Sequence, residues 1–120
     1  MPFRETLKGI VESVEGGLGA VIMGYDGIAI DEYIRNDETM DLHLMAVEYA
    51  TIMKEVCRTV EVLKTGEMEE MTVNTGRSRV IVRIINDAFF LLLTLAPEGN
   101  YGKGRYLLRR DALALRDSLS

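Results

Sequence analysis

The sequence predicts an α/β domain in which one sheet carries helices on both of its faces, and three observations support this. Helical and strand-like patterns alternate in the order α-β-β-α-β-β-β-α. Two strand-like runs, Ala20-Val21-Ile22-Met23 and Phe89-Phe90-Leu91-Leu92-Leu93, are apolar on consecutive residues, so both faces of each must be covered. Short polar turns join the strands, as in hairpins and meanders. A three-layer sandwich follows.

Each element has its own local signal. Phe3, Leu7, Ile10, Val11 and Val14 recur at helical spacing, with Pro2 where a first-turn proline is harmless and Gly16-Gly17 where a helix stops. Gly16-Gly17-Leu18-Gly19 reads as the turn that follows. Residues 20–25 and 28–34 read as antiparallel strands joined by Asp26-Gly27, a pair suited to positive φ. After Arg35-Asn36-Asp37, a helical pattern runs over about 39–64, roughly 39 Å, and ends at Thr65-Gly66. Strands over 69–74, 79–85 and 88–95 are separated by Thr75-Gly76-Arg77-Ser78 and Asn86-Asp87. The first of them, with Glu69-Glu70-Met71-Thr72-Val73, is polar and short and reads as an edge strand. Pro97 to Gly102 breaks the chain before a last amphipathic helix over about 103–118, with Tyr106, Leu107, Leu113, Ala114 and Leu115 as its apolar positions.

At 120 residues the chain reads as one domain, 1–120, able to bury about two thirds of its surface. The single cysteine, Cys57, cannot pair within the chain, and the first residues carry no apolar signal core, which favours a cytoplasmic location. The longest strongly apolar run, residues 88–96, is about half of what a membrane helix needs, so no membrane insertion is expected. A net charge of −5 and a pI near 4.9 argue against nucleic acid as a partner.

The long helix has two apolar faces. At about 100° per residue, Leu42, Met45, Tyr49, Ile52, Met53, Val56, Val60 and Leu63 gather into one stripe, expected on the sheet. Nearly opposite lie Met40, Leu44, Val47 and Val62, with Thr51 among them. A helix that covers one face of a small sheet has no need of the second stripe, which therefore reads as an interface with another chain. A two-fold contact is self-complementary. One helix and one edge strand suffice for a homodimer, with Met40, Leu44, Val47, Thr51 and Val62 joined by Met71 and Val73. His43, Lys54 and Arg58 on the same helix are candidates for a further partner surface.

No residue constellation points to catalysis. His43 is the only histidine, and Thr39, Met40, Ala46 and Val47 around it offer no second metal ligand. Cys57 lies fourteen positions along the helix, roughly 21 Å away, too far for a nucleophile and base. Gly99-Asn100-Tyr101-Gly102-Lys103-Gly104-Arg105 follows a strand and opens a helix, the best anion-site candidate, but its spacing is not that of a phosphate loop. Asp31-Glu32, and Glu67 with Glu69-Glu70, read as solvated edges. Arg109-Arg110 and Arg116 are partly offset by Asp111 and Asp117 and read as a solvated helix face. No cofactor and no metal are expected.

The element order, the Gly17-Leu18-Gly19-Ala20-Val21 entry to the first strand, the Asp26-Gly27-Ile28 hairpin and the Asn100-x-Gly102-x-x-Arg105 start of the last helix resemble the Roadblock family. That family comprises Roadblock-type dynein light chains and MglB-like bacterial gliding-motility regulators, and the resemblance spans nearly the whole chain. It implies a profilin-like sandwich with a five-stranded antiparallel sheet in the order 2-1-5-4-3, and homodimers joined through the second helix and third strand. It further implies a non-enzymatic platform for a small Ras-like GTPase, with MglB-like members promoting hydrolysis by their partner without lending an arginine finger. Arg35, Arg58 and Arg77 are accordingly given no such role. Residues 1–120 hold no segment that reads as a cargo-binding extension of the dynein type, so motor attachment is not expected. The alternative function on the same sheet is small-molecule sensing, which needs a cavity that Phe89, Phe90, Tyr49 and Met53 are expected to fill.

Overall fold

The computed structural model describes residues 3–35 and 40–120. In chain order it contains α1 (Phe3–Ser13), β1 (Gly17–Gly24), β2 (Ala29–Ile34), α2 (Leu42–Leu63), β3 (Glu70–Asn74), β4 (Arg79–Ile84), β5 (Phe89–Leu95) and α3 (Tyr101–Ser118). The five strands form one antiparallel sheet in the order β2-β1-β5-β4-β3, which leaves the polar third strand at an edge. The expected roles of Pro2, the turn at Asn36-Asp37 and a helix start at Thr39 lie outside the described residues.

The two runs of consecutive apolar residues serve both faces, as their pattern requires. Phe90 and Leu92 point to the α2 side, where they meet Leu42, Ala46, Ala50 and Met53. Leu91 and Leu93 point to the other side, where Leu7, Ile10 and Val11 of α1 and Leu108 and Leu115 of α3 cover them. Of the residues expected to fill the space between sheet and helices, Phe90, Tyr49 and Met53 lie on the α2 side and Phe89 does not. Its side chain leans on the α1–α3 layer, because strand alternation places it opposite Phe90.

Local chemistry sets the ends of the helices. The Asp41 carboxylate caps α2 by accepting from the Leu44 amide at 2.9 Å, and the Asn100 side chain caps α3 by accepting from Lys103 at 3.1 Å. Lys64 closes α2 in the left-handed region, φ 57°, with its N–H reaching the carbonyls of Val60 and Glu61. The glycine segment before β1 is a correction to the sequence reading. Only Gly16, at φ 82°, turns the chain, while Gly17 to Gly19 belong to the strand. A Cβ at Gly17 would stand 2.5 Å from the carbonyl oxygen of Val11, so glycine is what lets the strand start directly beneath α1. Arg35 fastens that junction from the end of β2, donating to the carbonyls of Gly17 at 2.7 Å and Val11 at 3.0 Å.

Candidate functional site

The sheet is covered unequally. Five strands about 4.8 Å apart make a surface roughly 20 Å wide, and one helix is about 10 Å across. Two helices cover one face, but α2 stands alone on the other and makes its main contact with β1. β3 is three strands away from β1. Met71 and Val73, paired opposite Val82 and Val80, therefore face the α2 side of this edge and remain half-exposed.

On α2 the expected interface positions divide into two groups. Leu44 and Val62 are 56% and 66% exposed, and Thr51 is exposed with its hydroxyl donating to the Val47 carbonyl at 3.5 Å. Met40 and Val47 are half-buried and lean on the core beneath the helix. The sheet-facing stripe needs a larger correction. Ile52 and Leu63, expected on the sheet, are 45% and 64% exposed, whereas Ala46 and Ala50 are buried. Alanines allow the helix to sit close to the strands, so the true contact line is rotated toward them and swings Ile52 and Leu63 outward. The result is a helix that is apolar well beyond the strip it buries.

His43, Lys54 and Arg58 are all exposed. Arg58 pairs with Glu55 at 3.2 Å, an exposed pair worth little in stability. Lys54 and Arg58 also border a hollow of about 590 Å³ under the last turns of α2, with Tyr25, Cys57, Met68 and Ile84 along it. There the Tyr25 hydroxyl and the Cys57 thiol both border the hollow and interact, and the Tyr25 and Phe90 rings lie 5.4 Å apart. Burial raises the Cys57 thiol above its ordinary range, which keeps it protonated and unreactive at neutral pH. Burial, then Cys57, raises the Tyr25 phenol as well. Sequence reasoning missed this pair, because the two residues lie on different elements and share no motif.

Beneath the β3 edge, Glu70 is not the solvated carboxylate the sequence suggested. It accepts from Arg105 of α3 at 2.6 Å, stands 3.6 Å from Arg83 of β4, and its side chain is only 16% exposed. Thr72 and Tyr101 join their hydroxyls at 3.1 Å. The start of α3 thus ties down the edge strand from the opposite face. The loop considered for anions is occupied by its own structure. Gly99 packs on Gly16, where a Cβ on either glycine would stand within 3 Å of backbone atoms, and the Asn100 side chain takes the Lys103 amide in the first turn of α3. Among the described residues, no group of histidine, cysteine or carboxylate side chains is arranged to hold a metal, and no helix is long and apolar enough to cross a membrane.

The chain matches no family model, and no curated protein matches it. Solved structures do. MglC from Myxococcus xanthus is 38% identical over 98% of this chain and 99% of that one, with a TM-score of 0.71. The gliding protein MglB from Thermus thermophilus superposes with a TM-score of 0.83 at 16% identity, over 94% of this chain and 84% of that one. A Roadblock/LC7 domain from Streptomyces avermitilis gives 0.85 at 14% identity, over 97% and 96% of the two chains. The last two establish a shared fold, while the identity to MglC, sustained along both chains, establishes kinship. The sheet order, the alternation of helices and strands and this relationship together make the chain a member of the Roadblock/LC7 family.

Proposed function

We propose that the protein is a homodimeric, non-enzymatic regulator or scaffold for a small Ras-like GTPase, and that it works by presenting the α2 layer of the dimer. The observation that carries this reading is the surplus of apolar surface on α2, with Leu44 and Val62 each more than half exposed beside a sheet edge that one helix leaves half covered. Exposed apolar residues in a contiguous strip lose water when a self-complementary copy covers them. In this dimer Met40, Leu44, Val47, Thr51 and Val62 meet their counterparts, and Met71 and Val73 border the edge where β3 meets its copy. His43, Lys54 and Arg58 then lie on the outer layer offered to the GTPase. The kinship with MglC, and the shared fold with a gliding protein, support a role in bacterial gliding motility.

The test has two parts. Leu44→Glu with Val62→Glu alters two exposed positions and is expected to give folded monomers in sedimentation velocity, whereas the unaltered chain sediments as a dimer. An unchanged dimer would rule out this interface. GTP hydrolysis by a small Ras-like GTPase from the same genome is then followed with and without the protein. Neither altered turnover nor a shared sedimenting species would leave the GTPase reading without support. The hollow beside Tyr25 and Cys57 favours the second reading, small-molecule sensing. A ligand-dependent rise in melting temperature across a metabolite panel, abolished by Cys57→Trp, is the result expected of a sensor.

A further inference from the structure

The outer face of α3 carries a second apolar pair, and no packing within the chain explains it. Tyr106 and Leu113 are 61% and 64% exposed. They are seven residues apart, so they fall within about 20° on one face and about 10 Å along the axis. The residues buried from this helix are Gly104, Leu107, Leu108, Ala112 and Leu115, which settles its inner face.

Charge distinguishes this pair from the one on α2. α3 bears Lys103, Arg105, Arg109, Arg110 and Arg116 against Asp111 and Asp117, a surplus of three positive charges on a chain whose net charge is −5. Arg105 is engaged with Glu70 and Arg110 with Asp111. Arg116 uses its Nε on the Ile85 carbonyl at 3.1 Å, while Arg109 has no hydrogen-bond or ion-pair partner among the described residues. Beside Leu113, a hollow of about 250 Å³ opens between α3 and the start of β3. Arg83, Arg109 and Arg116 border it, with Glu67 and Glu69 also on its wall.

We propose that this α3 face is a docking site for an acidic, amphipathic segment of a partner protein, separate from the α2 surface. The partner's apolar residues cover Tyr106 and Leu113, and its carboxylates meet Arg109 and Arg116 at the edge of the hollow. Aromatic and arginine side chains are the residue types that most often carry binding energy at such sites. The acidic remainder of the molecule repels the same segment elsewhere, so the charge pattern fixes where it binds. An anionic membrane meets that same repulsion over a far larger area, which makes a protein segment the better fit.

The probe is a fluorescein-labelled amphipathic peptide with one face of glutamates and one of leucines, titrated with the full chain and read by anisotropy. Matched peptides carry lysine for glutamate or serine for leucine. The glutamate–leucine peptide is expected to bind, to weaken as salt is added, and to bind about tenfold more weakly to Leu113→Ser and to Arg109→Ser. Both positions are exposed, and circular dichroism serves as the folding control. Leu44→Glu with Val62→Glu is expected to leave peptide affinity unchanged, so failure of the α2 reading and failure of this one are separable. Equal binding of the lysine peptide, no binding at all, full affinity in both α3 variants, or binding to phosphatidylserine vesicles in place of the peptide would each overturn the proposal.

Discussion

The two faces of the sheet contrast in how completely the chain covers them itself. Under α1 and α3, Leu7, Ile10, Leu91, Leu93, Leu108 and Leu115 have no measurable exposure, and the half-buried residues at the margin are held by specific bonds such as Thr72–Tyr101. Under α2 the centre is just as dry, at Met53, Phe90 and Leu92, but the margin is a fringe of half-covered side chains that includes Met71, Val47 and Ile84. The difference follows from counting helices against strands. Two helices span a five-stranded sheet and one does not, so the face with one helix is where a partner gains most by docking.

The largest effect expected from breaking this contrast comes from the closed face. Leu108→Ala removes a fully buried side chain between α3 and the sheet, and stability should fall by about 2–5 kcal/mol, measured by urea unfolding. A much smaller loss would mean that α3 packs loosely. The open face should respond differently. If a second copy closes it, the unfolding midpoint of the unaltered chain rises with protein concentration, because only the folded state dimerises. That dependence should survive in Leu108→Ala and vanish in Leu44→Glu with Val62→Glu. A midpoint independent of concentration in all three proteins would remove the physical basis for the contrast.

Much of this architecture was legible in the sequence because period and punctuation are local signals. Consecutive apolar residues at Phe90-Leu91-Leu92-Leu93 announced a sheet covered on both faces, and Asp26-Gly27 announced a hairpin. The polarity of Glu69-Glu70 announced an edge, although the same polarity concealed that Glu70 is bridged by Arg83 and Arg105. That network depends on three elements meeting, which no spacing along one of them encodes. The rotation of α2 was missed for a related reason. A stripe drawn through bulky side chains overlooks Ala46 and Ala50, whose small size is what brings a helix close to a sheet. On α3, of the apolar positions Tyr106, Leu107, Leu113, Ala114 and Leu115 only Leu107 and Leu115 are buried, together with Leu108 and Ala112, which the pattern did not single out.

The smallest expected effect concerns the end of α2. The sequence marked its stop at Thr65-Gly66, but the left-handed cap falls on Lys64, at φ 57° and ψ 41°. α3 shows no such feature, since its cap residue Leu119 sits at φ −113°. A side chain in the left-handed region costs about 1 kcal/mol relative to glycine. Lys64→Gly relieves that cost but gives up a cation near the helix C-terminus, worth about 0.3–1 kcal/mol, with the lower end appropriate to an exposed side chain. The conformational term should win, so Lys64→Gly is expected to stabilise the protein by about 0.5 kcal/mol in urea unfolding. Repeating the measurement in high salt sharpens the comparison, because screening removes the cation's share and leaves the backbone term. A variant less stable than the parent even in high salt would mean that the Lys64 side chain does more at the end of α2 than balance the helix dipole.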